Sequence, residues 1–186
     1  MKSQINLTID NRLVSIEEGL TILDAAKKLD IDIPHLCKDD RLTPTGSCRL
    51  CLVEIEGQPK LQTSCSRLAE DGMVIHTETA EIRKLRKIIL ELFIAEHRLS
   101  CTTCDKDGNC LLQDYTYRYR INETKFPHLE HKITSMNYTS REKAFVYDPS
   151  KCIRCGRCIK MCREVQGVEA LVFQKRSHEV MVTTGF

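Results

Sequence analysis

The sequence predicts an α+β fold class built of small modules that lean on bound metal, and three observations carry that expectation. Short alternating apolar stretches near the N-terminus, and others at 51–55, 61–65 and 73–75, read as strands. The stretch after Thr79 has the three- and four-residue apolar recurrence of an amphipathic helix. Eleven cysteines and His97 divide into three sets of four soft donors with none left over, whereas cysteines kept only for packing would scatter. A length of 186 residues allows one or two domains, yet a small segment buries too little apolar surface to hold itself without such a staple.

In chain order, Ile5, Leu7 and Ile9 alternate with polar neighbours, and Leu13, Val14 and Ile16 follow Asp10-Asn11, so residues 3–16 read as a hairpin. Thr21 with Asp24 forms a capping-box pattern ahead of Ile22, Leu23, Ala26 and Leu29, which predicts a helix to about residue 29. Pro34, Pro44, Gly46 and Ser47 make Cys37 to Cys51 a turn-rich loop. Thr79 is the expected N-cap of the long helix, with Ile82, Leu85, Ile88, Ile89, Leu92 and Phe93 inside and Glu81, Arg83, Lys84, Arg86 and Lys87 mostly outside. A further helix is expected over Leu111, Leu112 and Tyr115. Tyr115, Tyr117 and Tyr119 read as packing and surface cover, because no basic nucleic-acid motif accompanies them. Residues 121–140 are polar and aperiodic, a linker in which His128 and His131 are surface residues. Phe145-Val146-Tyr147-Asp148-Pro149 reads as a short strand and turn, Glu164 to Val168 as a helix end, and Ala170 to Phe173 as a strand pairing with Val180 to Val182.

The strongest chemical signal is Cys152, Cys155, Cys158 and Cys162, at intervals of 3, 3 and 4. That run fits the bacterial ferredoxin pattern for a cubane cluster, since two intervening residues let successive thiolates turn onto one small centre. Gly156 is expected to relieve crowding where backbone passes close to inorganic sulfide. A zinc knuckle and a disulfide framework are the plainer alternatives; the remaining cysteines weaken both. Cys37, Cys48, Cys51 and Cys65 form one set, with ten, two and thirteen residues between them. Cys101, Cys104 and Cys110 form another, led by His97 in an HxxxCxxCxxxxxC arrangement. A lone histidine at a helix end is usually a solvated side chain; beside a set one cysteine short, it is better read as the fourth ligand, bound through neutral imidazole.

Composition narrows the remaining choices. A formal charge of +2 and a pI near 8.0 identify no partner. The N-terminus lacks the apolar core of a secretory signal, and no stretch reaches the length needed to span a bilayer, so a cytoplasmic setting is expected, where thiols stay reduced. The eight glycines include no GxG pair, and no catalytic triad or phosphate loop is recognisable. Nicotinamide and flavin are therefore expected to bind elsewhere, and the chain to be non-catalytic alone.

Hairpin, helix, ligand loop and returning strands resemble the β-grasp of plant-type [2Fe-2S] ferredoxins. Ten residues between Cys37 and Cys48, in place of the plant-type CxxxxCxxC loop, resemble instead the variant at the N-terminus of the large iron–sulfur subunit of respiratory complex I and its hydrogenase relatives. HxxxCxxCxxxxxC resembles the His-(Cys)3 [4Fe-4S] module of the same proteins and of related formate dehydrogenases. The ordered combination is similar to the iron–sulfur subunit of NAD(P)-linked hydrogenases. The resemblance implies a [2Fe-2S] ferredoxin-type domain over 1–78, a His-(Cys)3 module over 79–118, a linker over 119–140 and a [4Fe-4S] ferredoxin-type module over 141–186, the last being a whole unit or half of a longer one. It implies one [2Fe-2S] and two [4Fe-4S] clusters, a flavin- and NAD(P)-binding diaphorase-type partner, often with a thioredoxin-like [2Fe-2S] subunit, and a catalytic hydrogenase- or formate dehydrogenase-type subunit. The expected role is relay of single electrons between them. A free-standing multi-cluster ferredoxin and a zinc-stabilised interaction protein are the competing readings. Arg163 stands where such runs usually carry proline, and Cys162 closes the local cluster or serves another; local closure is the expectation, because it leaves no cluster short of a thiolate.

Overall fold

Strand alternation and turn chemistry build the N-terminal part of the chain. In the computed structural model, which describes residues 3–97, 99–127, 147–176 and 179–185, β1 (Gln4–Ile9) and β2 (Arg12–Glu17) form an antiparallel hairpin in the register Leu7↔Val14. Asp10 and Asn11 make its turn at φ +47° and +64°, a left-handed pair that these two residue types tolerate well. Ile5, Leu7, Ile9, Val14 and Ile16 face the core while Leu13 faces solvent, as strict alternation requires.

The capping box forms as expected: Thr21 Oγ1 accepts from the Asp24 N–H, and Asp24 accepts from the Thr21 N–H, at the start of α1 (Ile22–Lys28). After the ligand loop come β3 (Leu52–Ile55), β4 (Gln62–Thr63) and β5 (Val74–His76). The sheet order is β2-β1-β5-β3-β4, with β1 and β5 parallel and the other pairs antiparallel. One face of α1, through Ile22, Leu23, Ala25 and Ala26, joins the sheet residues, Cys51 and Cys65 in a single apolar core.

The long helix α2 (Ala80–Glu96) begins after Thr79, whose hydroxyl accepts from the Ile82 N–H at 3.4 Å. Its inward face corrects the sequence expectation. Arg86, expected outside, is 0% exposed, while Leu92, expected inside, is 47% exposed. The buried positions Ile82, Arg86, Leu90 and Ile94 form an unbroken i, i+4 row, with Glu91 and Ala95 buried beside its C-terminal end. An arginine holds a place in that row because its head group is hydrogen-bonded on every side, as described below.

The chain separates into two units, Met1–Ile89 and Leu90–Phe186. In the second, a 3-10 turn at Cys101–Thr103 precedes α3 (Leu111–Arg118), which buries Leu112 and Tyr115 and leaves Tyr117 exposed. Another 3-10 turn, Pro149–Lys151, is capped by Asp148, whose carboxylate accepts from the Ser150 N–H at 2.9 Å. α4 (Arg157–Lys160) starts from Gly156 at φ +73° and widens into a π-helical turn over Met161–Val165. The positive φ by itself favours glycine here, and towards the protein a Cβ at this position would sit in ordinary contact with Phe173. β6 (Leu171–Gln174) and β7 (Met181–Thr184) pair antiparallel. His128, His131, Phe145 and Val146 lie outside the described residues. Among the described residues no helix is long and apolar enough to cross a membrane.

Candidate metal centres

The four cysteines of the first set, buried to 6% exposure or less, come from the loop after α1 and the turns flanking β3 and β4. Cys37 and Cys48 are hydrogen-bonded to each other, and the Leu36 N–H donates to Cys48 Sγ at 3.4 Å. The sulfurs of Cys51 and Cys65 lie 3.2 Å apart. The two pairs form one site, because Cys37, Cys48 and Cys51 all act electrostatically on Cys65.

Within each pair one sulfur favours the thiolate and the other keeps the proton. The Cys48 thiol holds Cys37 down to about 4 against the opposing push of burial, with Ser47 and Thr45 assisting. The Cys65 thiol likewise holds Cys51 at about 7, again against burial. Cys48 and Cys65 are pushed up, each first by its thiolate partner and then by burial. Four convergent, dry thiols fit a [2Fe-2S] centre, and loading such a site displaces the two retained protons.

Backbone around Cys51 is fixed at three successive carbonyls. The Ser64 N–H donates to the Cys51 carbonyl at 2.9 Å, while Arg86 Nε and Nη2 donate to those of Leu50 and Leu52, each at 2.8 Å. Ser64 is itself fully buried and its Oγ makes no hydrogen bond of standard geometry; the group it favours is the Cys51 thiolate.

In the second set, His97, Cys101, Cys104 and Cys110 all line one hollow, completed by Ser100, Lys106, Asp107, Gln113 and Lys151. The end of α2 brings in His97, whose Nδ1 is buried. Tight turns carry the cysteines: the Cys104 N–H donates to the Cys101 carbonyl and the Asp107 N–H to the Cys104 carbonyl. Gln113 on α3 braces the loop, accepting from the Gly108 N–H at 3.2 Å and donating to Asp107 Oδ1 at 2.9 Å. A wall of one imidazole and three thiols, with Lys106 and Lys151 to balance negative charge, fits a His-(Cys)3 centre.

Lys151 is bonded directly to Cys152, so the wall of the second hollow runs into the third set. There the Arg154 N–H donates to Cys152 Sγ at 3.3 Å, with Arg154 at φ +53°; its guanidinium pairs with Glu96. Cys158 is raised by burial and then by the charges of Cys152 and Cys155, which places those three thiols together. Tyr147, whose hydroxyl accepts from the Val182 N–H at 3.1 Å, is raised by burial and next to it by the Cys152 thiolate. Cys162 sits on the π-helical turn and its carbonyl accepts from the Val168 N–H at 3.1 Å.

Sequence reasoning missed Arg86, Ser64, Gln113, Lys151 and Tyr147. Arg86 was within reach: Ile82, Leu90 and Ile94 share its i, i+4 row. Ser64 and Lys151 carry no signal beyond adjacency to a cysteine, and Gln113 and Tyr147 lack even that, because the bonds that matter are set by the loop path.

Comparison with known proteins agrees along the chain. Residues 2–80 match a 2Fe-2S iron-sulfur cluster binding domain, residues 86–125 the NADH-ubiquinone oxidoreductase-G iron-sulfur binding region, and residues 145–164 a 4Fe-4S binding domain. An NADH-quinone oxidoreductase G-type subunit of Rhizobium meliloti is 40% identical over 179 residues, 96% of this chain and 21% of that protein. The mitochondrial 78 kDa subunit of NADH-ubiquinone oxidoreductase from Candida albicans is 33% identical over 182 residues, 98% of this chain and 25% of that one. The chain thus spans a fifth to a quarter of these relatives. A crystal structure of NAD+-reducing [NiFe]-hydrogenase in the H2-reduced state superposes with a TM-score of 0.82 at 30% identity, over 98% of this chain and 76% of that one. Three iron–sulfur matches in order, on a fold shared over nearly the whole chain, place this protein in the iron–sulfur family of the NADH-quinone oxidoreductase G-type subunits and the matching chain of NAD+-reducing hydrogenase.

Proposed function

We propose that this chain relays single electrons through one [2Fe-2S] and two [4Fe-4S] clusters, between a flavin- and NAD(P)-binding subunit and a catalytic subunit of hydrogenase or formate dehydrogenase type. Cys37, Cys48, Cys51 and Cys65 hold the first cluster, His97, Cys101, Cys104 and Cys110 the second, and Cys152, Cys155, Cys158 and Cys162 the third. The modules run over 1–78, 79–118 and 141–186, with 119–140 as linker, and the setting is cytoplasmic. Each cluster, when bound, accepts and releases one electron; the protein's part is to hold the sulfurs, keep water away and place charge.

The observation that carries this reading is Lys151. It lines the hollow formed by His97, Cys101, Cys104 and Cys110 and is covalently followed by Cys152, so two ligand sets are adjacent through a single residue. Sites that close suit sequential transfer, whereas zinc staples have no need of contact. The full chain prepared without oxygen should hold about ten irons with matching acid-labile sulfide, from one two-iron and two four-iron centres. Stoichiometric zinc without labile sulfide would overturn the proposal.

A further inference from the structure

Arg86 is a fully buried arginine on α2 whose guanidinium has three partners within 2.8 Å. Nη1 donates to Glu78 Oε1 at 2.6 Å, while Nε and Nη2 reach the Leu50 and Leu52 carbonyls at 2.8 Å. Cys51 lies between those two carbonyls. Its own carbonyl is taken by the Ser64 N–H, so no backbone acceptor around this cysteine is left to move.

Ion-pair stability is a weak reason for the choice. Removing a permanent charge from water is costly even when it is paired, and well-packed apolar side chains often replace buried ion pairs at no loss or at a gain. The neighbouring positions in the row, Ile82 and Leu90, are such side chains. What an apolar residue cannot supply is a flat fork that spans two carbonyls and carries a positive charge shielded from solvent.

We infer that Arg86 is a positioning residue for Cys51 and the fixed positive charge that favours the reduced state of the first centre, with Glu78 as the counter-charge that limits its effect. The inference rests on the iron–sulfur reading of the first cysteine set. A gained electron brings negative charge to sulfurs a residue away from the guanidinium, where screening by salt is weak. The carboxylate of Glu78, half-open to water at 31% side-chain exposure, offsets part of that field.

The test is a redox titration of the full iron-loaded chain, followed by EPR at the first centre, with iron content measured alongside. Arg86→Gln should shift the reduction equilibrium about tenfold towards the oxidised form, about 59 mV for one electron. Glu78→Gln, which keeps the guanidinium, should shift it several-fold the other way. Arg86→Lys should hold the potential near that of the parent while lowering occupancy, because one ammonium does not span both carbonyls. A purely structural role predicts loss of occupancy in all three with no opposed shifts; unmoved potentials, or shifts of one sign, overturn the inference. Should Arg86→Gln not take up iron, Glu78→Gln decides by the direction of its shift. A parent chain that shows no [2Fe-2S] signal refutes the iron–sulfur reading itself, a different failure.

Discussion

Replacing Ser64 with alanine in the iron-loaded chain should lower the midpoint potential of the first centre by roughly 20–60 mV, provided that its buried hydroxyl donates to the Cys51 sulfur once the centre is loaded. Ser64 is 0% exposed, so no water substitutes for its hydroxyl. Its backbone is tied at both ends, the N–H donating to the Cys51 carbonyl at 2.9 Å and the carbonyl accepting from the Leu23 N–H at 3.0 Å. The side chain is thereby held beside the Cys51 sulfur, the group it favours as thiolate. The Ser64 Oγ makes no hydrogen bond of standard geometry in the structure; on a loaded centre, a bond from it to the charged sulfur would be worth about 1.5–3 kcal/mol. Only the part that strengthens as sulfur gains charge enters the potential; at roughly a third to a half of the whole, that is about 0.5–1.4 kcal/mol, a two- to tenfold change in the reduction equilibrium. Fewer donors to sulfur make reduction harder, so the sign is negative. EPR-monitored titration measures it, and iron content shows whether the centre is intact. A fully loaded variant within about 10 mV of the parent would refute the assignment of Ser64 as a donor.

Two further outcomes test the ligand sets. His97→Ala should lose the signal of the middle centre and about four of about ten irons, with His97→Cys restoring them; unchanged EPR and iron content would show that His97 is not a ligand. Cys162→Ser should weaken the third centre in particular, seen as a depleted [4Fe-4S] signal in the freshly prepared chain. A full and stable signal would mean that the fourth ligand comes from elsewhere.

Much of this could be read from residues alone, for identifiable reasons. Alternation fixed β1 and β2, and Thr21 with Asp24 fixed the start of α1, because these signals are local and each residue acts on near neighbours. That Cys37, Cys48, Cys51 and Cys65 lie together, and His97 with Cys101, Cys104 and Cys110, was legible because donors to one metal centre must converge. The inward face of α2 was misread at Arg86 and Leu92, since charge was taken as a sign of solvent. Burial of an arginine depends on acceptors that arrive from Leu50, Leu52 and Glu78, up to 36 positions away in sequence. The π-helical turn that carries Cys162 was equally hidden: its defining bond, from the Gln166 N–H to the Met161 carbonyl at 3.0 Å, has no residue-type signature.

A net charge of +2 conveys little about the chain, yet cations stand at the first two sets. Arg86 borders the first, and Lys106 and Lys151 line the second; near the third, Arg154 and the buried Lys160 are paired with Glu96 and Glu164. Thiolates around iron, four in the first set and three beside an imidazole in the second, would carry net negative charge that each added electron increases, so such a centre favours fixed positive charge that does not itself bind metal. The three settings differ in how far water competes. Arg86 is sealed and acts through a low dielectric, where a unit charge at a given distance counts for several times its value in water. Lys106 is exposed and ions screen it. Lys151 lines the hollow of the second set and is bonded to Cys152 of the third, so one residue borders both sets. With both centres loaded, a charge shared in this way would move both potentials together and leave their difference, which drives transfer between them, less disturbed than either value alone.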